Sequence, residues 1–104
     1  MNTQGWIRGY IAHNSSTDKF INLILTTISK EFGYEFQLNE TIDDFIISID
    51  KYEIIIDKET AKKLQKRSPY ALDKYILNIL QEQGLEFDKK RSQYVRYCYD
   101  IFEI

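Results

Sequence analysis

The stretch Phe45-Ile46-Ile47-Ser48-Ile49-Asp50-Lys51-Tyr52-Glu53-Ile54-Ile55-Ile56 decides the fold. Six of its twelve residues are isoleucine, and β-branched and aromatic runs of this kind fit a pleated, half-buried surface. Alternation puts Phe45, Ile47 and Ile49 on one face, and Tyr52, Ile54 and Ile56 likewise on one face. The expected structure is a hairpin turning at Asp50-Lys51. That dipeptide is not the favoured Asn-Gly type, so one long bent strand is the alternative.

Upstream of the hairpin, Tyr34 to Leu38 alternates as a third strand, and Asn39 to Asp43 reads as a polar turn. Before that, Phe20, Ile21, Leu23, Ile24, Leu25, Ile28 and Phe32 recur at helical spacing. Asn14 to Thr17 offer caps at the start of this helix, Asp18 meets its dipole, and Gly33 ends it. Residues 5–13, Gly5-Trp6-Ile7-Arg8-Gly9-Tyr10-Ile11-Ala12-His13, are rich in strand-forming types and predict a first strand with Trp6, Arg8 and Tyr10 on one face.

Downstream, Asp57 is placed to cap a helix over Glu59–Arg67, and Ser68-Pro69 to start another as cap and first helical residue. Leu72, Tyr75, Ile76, Ile79 and Leu80 form the inner stripe of that helix, leaving Tyr70, Lys74, Asn78 and Gln81 outside with Asp73 and Leu77 flanking; Gly84 closes it. Leu85–Phe87 reads as a short strand, Asp88 to Arg91 as a basic turn, and Ser92–Ile104 as a last strand with Val95, Tyr97, Tyr99 and Ile101 on one face. The expected fold is a single α+β domain over residues 1–104, a mainly antiparallel sheet with about three helices packed on it, in the order βα-βββ-αα-ββ.

Composition narrows the class. The 104 residues carry 43% apolar and 29% charged side chains, ordinary for a globular domain and too apolar for disorder. No apolar run approaches the roughly 18 residues of a membrane span. The residues Met1 to Trp6 lack a secretory pattern, and Cys98 is the one cysteine, so a cytoplasmic protein without membrane attachment is expected. Sixteen isoleucines against three alanines and one valine match AT-rich codons and point to a low-GC bacterium, its phage or another mobile element.

The sequence offers no catalytic motif: there is no glycine-rich phosphate loop, no Gly-x-Ser-x-Gly, no His-Glu-x-x-His and no paired-cysteine spacing. His13 reads as a loop histidine and Cys98 as a small hydrophobe. The acidic segment around Asn39 to Asp44 lacks the spacing of a calcium loop. The expectation is therefore no catalytic site, no metal and no cofactor.

Charge is polarised along the chain. Residues 1–57 hold four basic and nine acidic side chains, net −5, while residues 58–104 hold ten and seven, net +3. The leading expectation is a non-catalytic bacterial or phage accessory protein that binds and blocks, or modulates, another protein, in the manner of anti-defence, immunity or antitoxin proteins. Its acidic surface would comprise Glu40, Asp43, Asp44, Asp50 and Glu53, steering toward a basic groove, with Trp6, Tyr10, Tyr70 and Leu77 as apolar and aromatic anchors. The alternative is a small DNA- or RNA-binding regulator using Lys62, Lys63, Lys66, Arg67, Lys89, Lys90 and Arg91 in a winged-helix arrangement, the basic turn serving as wing. Homodimerisation through an exposed edge strand is a further expectation the sequence leaves open.

Overall fold

The structure, a computed structural model, describes the backbone of residues 3–102 and the side chains of residues 5–102. Its centre is the hairpin. β2 (Asp44–Ile49) and β3 (Tyr52–Asp57) pair antiparallel, with Ile49 opposite Tyr52 and Asp44 opposite Asp57. Asp50 makes the turn in the left-handed region, at φ 52°. This conformation suits Asp better than most residues, so the turn closes without glycine. β1 (Phe36–Glu40) pairs antiparallel with β2 and completes a three-stranded sheet of order β1-β2-β3.

One face of the sheet is the core. Phe45, Ile47, Ile49, Tyr52, Ile54 and Ile56 are all buried, as alternation demands. Each fully buried isoleucine contributes about 1.5–3 kcal/mol relative to exposure. Against this face packs α2 (Thr17–Phe32), through Phe20, Ile21, Ile24, Leu25 and Ile28, and its end is set by Gly33 at φ 72°. α3 (Lys58–Arg67) follows β3 directly. The Asp57 carboxylate accepts from the Thr60 N–H at 3.2 Å, and Ala61, Leu64 and Gln65 turn inward. α4 (Ala71–Glu82) completes the layer, and its Gln83 side chain donates to the Glu53 carbonyl at the far side of β3.

Both chain ends depart from the sequence reading. The predicted first strand is instead α1 (Thr3–Asn14), and the predicted last strand contains α5 (Gln93–Cys98); residues 103 and 104 lie outside the described ones. In α1, Arg8 and Ala12 turn inward while Tyr10 between them is 64% exposed, a pattern that a helix allows and a strand, which would put all three on one face, does not. In α5, the Ser92 hydroxyl oxygen accepts from the Val95 N–H at 3.1 Å, and Val95 and Cys98 are the buried pair. Asp100 ends this turn in the left-handed region at φ 58°. Leu85–Phe87 forms no strand, so the order among the described residues is αα-βββ-αα-α, with five helices and a three-stranded sheet.

Two corrections concern α4. Its first turn begins at Ala71 and not at Pro69; Pro69 and Tyr70 form a turn after the extended Ser68, and the Pro69 ring lies against Gly9 of α1, where an added Cβ would meet Pro69 Cγ at 3.4 Å. Its buried stripe is Leu72, Asp73, Ile76, Leu77 and Leu80, with Tyr75 and Ile79 only partly covered. Leu77 is therefore core and not a surface anchor. The helix is rotated because Asp73 faces inward to meet Arg8.

Candidate functional site

The outer face of the sheet follows from the register. Three cross-strand rows point away from the core: Gln37–Ser48–Glu53, Asn39–Ile46–Ile55, and Asp44 opposite Asp57. Among the described residues no helix packs on this face: Gln37, Asn39, Glu53, Ile55 and Asp57 are all exposed. Ile55 is 61% exposed at its centre, and Ile42, in the β1–β2 turn, is 91% exposed. Acidic groups surround these isoleucines. Asp44 and Asp57 stand directly opposite each other with no ion-pair partner among the described residues, an arrangement that costs stability. The Thr60 hydroxyl, and after it the Thr60 N–H, hold the Asp57 carboxyl below its ordinary value, so it stays charged.

The five acidic residues singled out from sequence divide. Asp44 and Glu53 share the outer face, Asp43 lies in the turn beside Ile42, and Asp50 sits in the hairpin turn at the opposite end. Glu40 has the opposite parity, level with Phe45, and pairs with Lys58 at 3.1 Å. It does not belong to this face.

The other expected surface is on the helices. Trp6 and Tyr10, 66% and 64% exposed, lie one turn apart on α1. A shallow groove holds Trp6, Tyr10, His13 and Pro69, and His13 also lines the neighbouring groove with Lys62 and Lys66. Lys62, Lys63, Lys66 and Arg67 are all exposed along α3. The remaining basic residues are elsewhere. Arg91 pairs with Glu31 at 2.7 Å and covers the Phe32 ring, while Lys89 lies over Tyr99. Gln65 of α3 bonds Thr17 at the start of α2, whereas Arg91 reaches its end, so the two basic groups are separated by about 21 Å of helix. Among the described residues no strands flank the basic turn, so it is not the wing of a winged helix.

Between α1, α4 and α5 lies a buried polar network that the sequence did not reveal. Asp73, with no exposed surface, accepts from Arg8 Nη2 at 2.7 Å and from the Tyr94 hydroxyl at 2.5 Å. The Arg8 guanidinium carbon lies over the rings of Phe20 and Tyr70, 5.2 and 4.9 Å from their centroids. Tyr70, expected as a surface anchor, is thus half-buried in a cluster with Tyr94 and Tyr97. Burial pushes the Asp73 carboxyl up, and Arg8 only partly offsets it; Arg8 itself is raised, since the pull of Asp73 and its neighbours outweighs desolvation. Arginine does not surrender its proton in proteins, so the ion pair is the state that avoids a lone buried cation.

Burial likewise drives the Cys98 thiol far up, which suppresses the thiolate a nucleophile needs. His13 is exposed at the end of α1. Among the described residues no three His, Cys, Asp or Glu side chains converge as metal ligands, and no helix is long and apolar enough to cross a membrane. Compared with protein-family models, with curated proteins and with solved structures, the chain finds no match in any of the three.

Proposed function

We propose that this protein is a non-catalytic binding module that docks on a basic surface of another protein, and so blocks or modulates it, through the outer face of its sheet. The observation that carries this reading is the uncovered sheet face itself. Ile46 and Ile55 give it an apolar centre, Ile42 stands exposed in the turn at its end, and Asp43, Asp44, Glu53 and Asp57 give it an acidic border. Apolar centres with polar rims are how protein interfaces are built. The Asp44–Asp57 juxtaposition adds a reason for a cationic partner, because a lysine or arginine placed between the two carboxylates would relieve their repulsion.

The test is capture from a nuclease-treated low-GC bacterial lysate by the immobilised protein and by three variants. Asp44→Asn with Asp57→Asn, and separately Ile55→Lys, are expected to lose the partner that the native protein retains. Lys66→Ala with Arg67→Ala is expected to keep it. Equal capture by all forms would overturn the assignment.

A second reading is favoured by one observation, the union of Trp6 and Tyr10 with Lys62 and Lys66 across His13. Exposed rings beside cations are what single-stranded nucleic acid binders use. Trp6 is the one tryptophan, so its fluorescence reports directly. Quenching by a thymidine oligonucleotide that weakens steeply with salt would move this surface ahead of the sheet face.

A further inference from the structure

The sheet has two edges, β1 and β3, and the chain covers them unequally. Which backbone groups face each edge follows from the ladder bonds at the strand ends. The Asp50 N–H donates to the Glu35 carbonyl at 3.1 Å, and the Thr41 N–H to the Asp44 carbonyl at 2.9 Å. Alternate residues of an antiparallel pair bond the neighbouring strand, so Glu35, Gln37, Asn39 and Thr41 spend their groups on β2. Phe36, Leu38 and Glu40 therefore direct their N–H and C=O groups outward. By the same count, set by the Lys58 N–H on the Asp43 carbonyl, Glu53, Ile55 and Asp57 face outward from β3. There the Gln83 side chain donates to the Glu53 carbonyl at 2.8 Å. On β1, among the described residues, the outward groups of Phe36, Leu38 and Glu40 have no such cover.

The β1 edge also lacks the features that keep an edge unpaired. Its five residues, Phe36-Gln37-Leu38-Asn39-Glu40, include no Lys and no Pro, and its register with β2 runs without a bulge. Alongside lies a groove, lined by Asp18, Lys19 and Asn22 of α2 and by Leu38, Asn39 and Glu40; all but Leu38 are exposed. The strand is complementary to itself. Laid antiparallel to a second copy about Leu38, it sets Phe36 opposite the second copy's Glu40 and Leu38 opposite Leu38. The outward-facing residues then meet as three pairs of two hydrogen bonds each. On the outer face Gln37 meets Asn39, amide to amide, and Glu35 meets Thr41, so no like charges are opposed. The acids of β2 in the two copies stand three strand spacings apart, about 14 Å, beyond the roughly 10 Å over which exposed charges act in 0.1 M salt.

We propose that the β1 edge pairs with the β1 edge of a second copy, antiparallel about Leu38, to give a continuous six-stranded sheet. A second copy is favoured over an unrelated strand because the side chains, as well as the backbone, close under a two-fold axis. The inference goes beyond the docking assignment, which concerns the face of the sheet and not its edge. Ile46 and Ile55 stay uncovered in the dimer, and pairing needs no partner protein, so the two readings fail separately.

The experiment is sedimentation equilibrium and backbone amide exchange of the isotope-labelled full chain over a micromolar-to-millimolar series. The mass is expected to rise from that of one chain to that of two. Exchange at Phe36, Leu38 and Glu40 is expected to slow at least tenfold as the dimer fills, and exchange at Gln37 and Asn39, already bonded to β2, much less. Gln37→Lys with Asn39→Lys sets lysine opposite lysine, and Gln37→Glu with Asn39→Glu sets acid opposite acid. Each double variant is expected to associate at least tenfold more weakly, and an equimolar mixture of the two to regain the dimer. The mass of one chain throughout the series would overturn the proposal. So would a dimer whose slowed amides lie away from β1, or folded variants whose mixture regains nothing. Should either variant fail to fold, the alternating protection along β1 of the native protein decides.

Discussion

Asp73 and Arg8 hold the helical side of the molecule to a single arrangement, and their energetics are asymmetric. Removing one partner strands the other charge out of water, which typically costs about 3–5 kcal/mol, whereas replacing both with apolar residues is near neutral. Denaturant unfolding of Arg8→Met and of Asp73→Leu should therefore show losses of that size, and the double variant should recover most of them. The Cys98 thiol, pushed up by burial, is expected to alkylate only as fast as the chain opens, with rapid modification once denaturant is added. Neither residue's role was legible in the sequence. A carboxylate next to Leu72 reads as the polar border of a stripe, and its partner lies 65 positions away. Leu77 was misplaced by the same error of phase.

At the scale of elements, β2 and β3 were readable because alternation and β-branched content agree, and the buried face is the one the pattern gives. α2 and α3 were readable from helical spacing, Gly33 and Asp57. α1 and α5 were not. Their Trp, Tyr, Ile and Val are strand-forming types, and both segments satisfy a period of two as well as a helical one. The contacts of Arg8 with Asp73, and of Ser92 with the Val95 N–H, decide for helix. The Asp57 cap has a consequence for pH. Its folded pKa lies below the ordinary carboxylate value near 3.9. Its contribution is therefore fully present above that value and is lost as pH falls through the folded pKa. Asp57→Ala should lower the thermal midpoint at pH 6, and its deficit relative to the native protein should shrink toward pH 3. Asp57→Asn, which can still cap, should keep the midpoint.

As a whole the molecule is a thin two-layer body, 40 × 31 × 19 Å, with a sheet on one side and helices on the other. Carboxylates border the open sheet face, and the cations of α3 lie on the helical layer beside α1. The charge division visible along the sequence thus becomes a division in space. The isoleucines among the acids acquired meaning only once the register placed them on the open side. Association with a basic partner should weaken as salt rises from low to physiological strength, chiefly through the association rate. Asp44→Asn with Asp57→Asn should bind less well while unfolding at a midpoint no lower than the native protein's, since the repulsion across β2 and β3 is removed.

The most direct test of the docking face is a methyl spectrum of the protein, labelled at isoleucine δ1, in complex with the captured partner. The chain places exposed isoleucines on both faces, Ile42 and Ile55 beside the acids and Ile7 on α1. Cross-saturation from the partner is expected to attenuate Ile42, Ile46 and Ile55 and to leave Ile7 unchanged. Attenuation at Ile7 with the three sheet-side methyls untouched would contradict docking through the sheet and move the interface to the helices.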